Sequence, residues 1–219
     1  MLTVGRRILI PVPCALYPLP STLYPAFMPI EVEVKFRVPD PGELTRRLKD
    51  LGFHEETPRT FERNVLYDTP DRRLRSQTAI LRVRKYGDRW IVTHKCLPQN
   101  TDPASPHKER EETETIVQDG EAMAQIFAHL GFEPAFIYEK WRTEFSDATG
   151  HCVLDETPIG VYAELEGPSA WIDETSRQLG LDPSALLTLS YGRLFDQWRQ
   201  ETGSPAQNLT FNEIPAPKS

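Results

Sequence analysis

Residues 31–35 read Glu-Val-Glu-Val-Lys, so Glu31, Glu33 and Lys35 share one phase of a period-two pattern and Val32, Val34 and Phe36 the other. In a strand this puts two carboxylates and an ammonium group on one face and a fully apolar surface on the opposite face. The same alternation recurs along the chain. Arg82 and Arg84 share a phase, as do Thr93 and Lys95. So do Lys108, Arg110, Glu112 and Glu114; Tyr138, Lys140, Arg142 and Glu144; and Tyr162, Glu164 and Glu166. One such strand is ordinarily the wet side of a half-buried sheet. Like charges adjacent on one face, as in Glu31/Glu33, Arg82/Arg84 and Glu164/Glu166, repel each other, and ordinary surfaces avoid them. If these strands close on themselves, one face of each must point inward. Unpaired charges are far too costly as a core, but as the wall of a ligand tunnel they have a use.

The residue types name the ligand. Lys35, Arg82, Arg84, Lys95, Arg110, Lys140 and Arg142 supply guanidinium forks and ammonium point charges, which bind phosphate oxygens. Glu31, Glu33, Glu112, Glu114, Asp155, Glu164 and Glu166 supply the acidic oxygens that hard divalent cations prefer. Mg²⁺ is commonly shared between a few carboxylates and substrate phosphates, so the two sets together point to a polyphosphate with a metal. A mutually neutralising network of ion pairs would use the same residues and is the competing reading.

The elements that position these groups follow from periodicity. Residues 43–53 and 121–132 read as amphipathic helices, with Leu44, Leu48 and Leu51 on one stripe and Met123, Ile126, Phe127 and Leu130 on the other. Each has an aspartate upstream as a cap, Asp40 or Asp119, and a glycine just past its end. The two segments repeat at an offset of 79 residues, which lays Leu51-Gly52-Phe53 on Leu130-Gly131-Phe132 and residues 31–35 on 110–114. Two related strand–helix–strand units facing each other can close one sheet. Further strands are expected at 64–68, 79–85, 89–95, 137–145, 151–155 and 160–167, mostly in antiparallel succession. Helices are expected near 173–179 and from 184 to about 201, the second with Asp182 as cap and Pro183 in its first turn.

The chain of 219 residues is long enough for a sizeable core, and its net charge of −7 argues against general affinity for nucleic acid or anionic membranes. Cys14, Cys96 and Cys152 are odd in number and widely spaced, which fits a reducing, cytoplasmic setting and neither a disulfide framework nor a zinc site. Residues 1–28 carry two arginines and an apolar run, but Pro11, Pro13, Pro18, Pro20 and Pro25 interrupt it, so neither a signal peptide nor a membrane span is expected. That stretch is expected to be a disordered or mis-assigned extension with Met28 as initiator, followed by one domain over 29–202 and a disordered tail over 203–219. The leucine-rich C-terminal helix packs on the barrel or on a partner, for a monomer or homodimer.

Glu31-Val-Glu33-Val-Lys35 resembles the ExExK signature of the CYTH superfamily, which includes class IV adenylate cyclases, thiamine triphosphatases and inorganic triphosphatases. The resemblance runs over about 30–200 and takes in, in order, YDTP (67–70), LRVRK, THK, REETET, EKWRTEF, LDETPIGVYAELEG and LSYGRLF (189–195). It implies an α+β fold with a closed eight-stranded antiparallel β-barrel, a triphosphate tunnel with flanking helices. It further implies a tripolyphosphate, thiamine triphosphate or ATP substrate bound with Mg²⁺ or Mn²⁺. By position, Glu31, Glu33, Glu164, Glu166 and Asp155 resemble metal-binding carboxylates, with Glu112 and Glu114 for a second metal or for orienting the cations. Lys35, Arg82, Arg84, Lys95, Arg110, Lys140 and Arg142 resemble triphosphate-binding cations, and Glu31, Glu33 and Lys35 form the catalytic motif. Three functions follow: hydrolysis of a triphosphate, cyclisation of ATP to cyclic AMP and pyrophosphate, or binding of polyphosphate without catalysis. Asn64 and Leu66 depart from the acidic and aromatic residues common near the third motif in cyclase- and thiamine-triphosphatase-like relatives.

Overall fold

The computed structural model describes residues 30–98 and 105–215. Its frame is a closed barrel of eight strands, all paired antiparallel, in the order β1-β5-β4-β3-β2-β6-β7-β8. In chain order these are β1 Ile30–Arg37, β2 His54–Asp68, β3 Ile80–Tyr86, β4 Arg89–Cys96, β5 Lys108–Val117, β6 Glu133–Ser146, β7 His151–Thr157 and β8 Gly160–Glu166. The closed, eight-stranded expectation is met. Strand β2 begins well before the expected residue 64. Pro58, which cannot donate to a ladder, is accommodated at a register shift between Thr57 and Thr60.

The internal repeat is real at the level of elements. Helices α1 (Pro41–Asp50) and α3 (Gly120–His129) each follow an aspartate N-cap. Asp40 accepts from the Glu43 N–H at 3.0 Å, and Asp119 from those of Glu121 and Ala122 at 2.9 and 3.0 Å. Gly52 and Gly131 end the two helices at φ of +90° and +87°, a conformation that L side chains resist. Leu44 and Leu48 of α1, with Ile172 of α4 (Ser169–Gln178), cover Val34 and Phe36 on the outside of β1. The apolar face of residues 31–36 therefore points outward, as its alternation with the charged face requires. Phe127 of α3 packs outside β3 on Val83. Gly120 permits that approach: a Cβ there would lie 2.1 Å from the Trp90 ring.

Three expectations are corrected. Helix α4 begins at Ser169, earlier than 173. The single helix expected from 184 is instead a short turn, Pro183–Ala185, an extended stretch, and then α5 (Tyr191–Thr202) capped by Ser190. The break has a cause. The β1–β5 ladder ends at Glu33, so the Lys35 backbone lies open and is met by Leu187 through N–H···O=C bonds of 2.9 and 2.7 Å. The third correction is the tail. Residues 203–215 are packed, not disordered: Leu209 is fully buried and bridges β6, accepting from the Glu139 N–H at 2.9 Å and donating to the Ile137 carbonyl at 3.0 Å. Strand β7 covers only residues 141–146 of β6, which leaves an edge for the tail to cap. The expected N-terminal extension, 1–28, and residues 216–219 lie outside the described residues. Among the described residues no helix is long and apolar enough to cross a membrane.

Candidate active site in the barrel

The inward phase of the strands lines a cavity of about 990 Å³. It gathers Glu31, Glu33, Lys35, Arg82, Arg84, Lys95, Arg110, Glu112, Glu114, Lys140, Arg142, Glu164 and Glu166, so thirteen of the fourteen residues expected in the site share one wall. Asp155 is the exception. It is fully buried behind that wall. Its Oδ1 accepts from Arg142 Nε at 2.7 Å, and its Oδ2 accepts from Lys140 Nζ at 2.9 Å, Arg142 Nη2 at 2.7 Å and the Tyr191 hydroxyl at 2.6 Å. A carboxylate so fully engaged is an anchor for two cations; the metal-ligand role expected of it does not match this position.

Glu62 is the second anchor, and strand periodicity begun at residue 64 misses it. It has no exposed surface, accepts from Asn64 Nδ2 at 2.8 Å, and lies 3.4 Å from Lys140, 3.7 Å from Arg84 and 4.0 Å from Arg142. Burial alone would raise its pKa, but Lys140, Arg142, Arg84 and Arg82 overcome this and hold it far below the usual range. The alternation Glu62-x-Asn64-x-Leu66 was the available signal. Tyr191 was also unassigned; its ring lies 4.5 Å from Lys35 Nζ and 4.8 Å from Lys140 Nζ. Arg82 donates to the Tyr138 hydroxyl at 3.0 Å and to Thr93 Oγ1 at 3.1 Å, and Arg84 donates to both Glu114 oxygens at 3.1 and 3.0 Å. These bonds fix guanidinium groups at the cavity wall with donors to spare.

The acidic pole lies on β1 and β8, where the ladder sets Glu33 opposite Glu166 and Lys35 opposite Glu164. Lys35 is hydrogen-bonded to Glu164, Lys95 to Glu31, and Lys108, which lies opposite Glu33 on β5, to Glu33. Lys95 also reaches Glu112 at 2.9 Å. Burial works to raise Glu33 and Glu164, but Lys108 and Lys35 respectively lead the charges that keep both below the ordinary carboxylate range. Glu166 differs: among the described residues its carboxylate has no ion-pair partner. Burial, with Glu31, Glu33 and Glu164 nearby, lifts it to about 7.

Among the described residues no three His, Cys, Asp or Glu side chains form a ready-made metal cage. The chemistry of the acidic pole nevertheless fits a hard divalent cation. Four carboxylates, Glu31, Glu33, Glu164 and Glu166, influence one another's ionisation, and one of them lacks a counter-charge.

The barrel's likeness to solved structures is strong in shape. A candidate adenylate cyclase from Vibrio parahaemolyticus superposes with a TM-score of 0.65 at 19% identity, over 76% of this chain and 98% of that one. A protein from Hippeastrum, described as a candidate adenylyl cyclase with a dominant triphosphatase activity, gives a TM-score of 0.55 at 18% identity, over 77% of this chain and 96% of that one. In sequence, a protein of Methanocaldococcus jannaschii named as a candidate adenylate cyclase is 31% identical over 151 residues, 68% of this chain and 83% of its own length. Residues 29–169 match the model of the CYTH domain. The chain therefore belongs to the CYTH domain family.

Proposed function

We propose that this protein is a metal-dependent phosphohydrolase that cleaves a triphosphate: tripolyphosphate, thiamine triphosphate or a nucleoside triphosphate. The observation that carries this reading is the shared cavity wall, on which Arg82, Arg84, Lys140 and Arg142 face the same space as the carboxylates of β1 and β8. Glu62 and Asp155 hold those cations from behind, so their charges are positioned before any ligand arrives. A linear triphosphate lies along the cations, and Glu31, Glu33, Glu164 and Glu166 hold Mg²⁺ or Mn²⁺ beside it. Such an ion, when bound, supplies charge neutralisation and acidification of water. Glu166, poised at about 7, is suited to take a proton from the attacking water at neutral pH.

Cyclisation of ATP is a second reading, supported by the archaeal relative that is 31% identical and named as a candidate adenylate cyclase. There the nucleophile is the ribose 3′-hydroxyl and the leaving group is pyrophosphate, with the same cations on the phosphates.

Incubation with tripolyphosphate, thiamine triphosphate and ATP, each with Mg²⁺ or Mn²⁺, separates the readings by product. Orthophosphate is the expected result. Cyclic AMP with pyrophosphate would replace hydrolysis by the second reading, and tight binding without turnover would leave a binding module. The paired change Glu31→Gln with Glu33→Gln should abolish turnover while the barrel melts as before. Full activity in that variant would remove the acidic pole from the site.

A further inference from the structure

Resting on the triphosphate reading, the inference concerns how the two charge sets are paired with each other. Lys35 is held by Glu164, Lys95 by Glu31 and Lys108 by Glu33. None of these six side chains is more than 14% exposed. Strand register enforces two of the pairs, since Lys35 lies directly opposite Glu164 and Lys108 directly opposite Glu33. Each pair joins one group suited to an anion with one suited to a metal.

We propose that the tunnel takes a divalent metal and a triphosphate as one coupled ligand, and that Lys108 is a further cation of the site, guarding Glu33 until both arrive. A metal binding alone must draw Glu31, Glu33 and Glu164 from their lysines and leave buried ammonium groups without partners. A triphosphate binding alone must draw the lysines away and leave buried carboxylates unpaired. Either half-exchange strands charges in a poorly solvated space, and a buried ion stripped of its partner is expensive. When both ligands bind, every carboxylate and every ammonium group exchanges one counter-charge for another. Arg110 and Glu166 are different: among the described residues neither makes an ion pair, so each can make first contact without breaking one.

The test is calorimetry on the full chain with three titrants: Mn²⁺ alone, a non-hydrolysable imido analogue of tripolyphosphate alone, and the analogue at saturating Mn²⁺. The analogue should bind about tenfold or more tightly with Mn²⁺ present, the usual scale of coupling between linked sites. Lys108→Met should shift the two single-ligand affinities in opposite directions, tightening Mn²⁺ and weakening the analogue. A merely structural role would weaken both. Equal analogue affinity with and without Mn²⁺ overturns the coupling and leaves the triphosphate reading standing. No binding in any arm overturns both. The wild-type titrations decide the matter even if the variant fails to fold.

Discussion

Glu166 is ionised at the expense of its surroundings. In the unfolded chain it titrates near 4.5, and in the barrel burial and the neighbouring carboxylates move it to about 7. Between these values the folded protein retains a proton that the unfolded chain has released, so metal-free stability falls as pH rises through the window and levels off above it. Glu166→Gln should abolish that fall and stabilise the metal-free protein at about pH 8 by on the order of 2 kcal/mol. Urea unfolding with a chelator, at about pH 5 and about pH 8, reads it directly; an unchanged pH dependence would show that the acidic pole is not crowded. Glu62 carries the opposite sign. Glu62→Ala removes the buried counter-charge of Arg84, Lys140 and Arg142, and should cost roughly 3–5 kcal/mol, with added tripolyphosphate restoring more stability to the variant than it adds to the parent. Equal stabilisation of both proteins by tripolyphosphate would argue that Glu62 does not face the anion-binding groups.

At the scale of elements, local signals read well wherever local chemistry decides. The Asp40 and Asp119 caps and the Gly52 and Gly131 stops marked α1 and α3 because each acts within one turn of its own helix. The extended stretch at Leu187 and the packed tail were illegible for the opposite reason. Both fill backbone edges that exist only because neighbouring strands differ in length: β5 stops pairing at Glu33, and β7 covers only the last part of β6. Nothing in residues 203–215 announces this, since the stretch has prolines and no periodicity. The test is Leu209→Ala. Leu209 is fully buried among Tyr138, Tyr162, Tyr191 and Phe195, and its truncation should cost roughly 2–5 kcal/mol by thermal or urea unfolding. A loss below about 0.5 kcal/mol, the range of an ordinary surface change, would return the tail to the status of an appendage.

Across the whole molecule, the repeat supplies a frame and the charges decide its use. The offset of 79 residues lays Glu31, Glu33 and Lys35 on Arg110, Glu112 and Glu114, so equivalent inward positions of β1 and β5 carry different signs. Sequence revealed which groups point inward, because that follows from period two within each strand. It did not reveal their partners, because those depend on the closed order that brings β5 beside β1 and sets Lys108 against Glu33. The two meanings of that arrangement separate in one double variant. Glu33→Lys with Lys108→Glu keeps an opposite-charge pair in the same ladder position, so the barrel should melt within a few degrees of the parent, the shift expected for about 1 kcal/mol. If the inner charges were only a structural network, nothing else would change. As a binding site, the exchange removes a carboxylate from beside Glu166 and puts an ammonium group in its place, and Mn²⁺ binding by calorimetry should be lost while stability survives. Parental Mn²⁺ affinity in the swapped protein would mean that Glu33 serves the fold and not the metal.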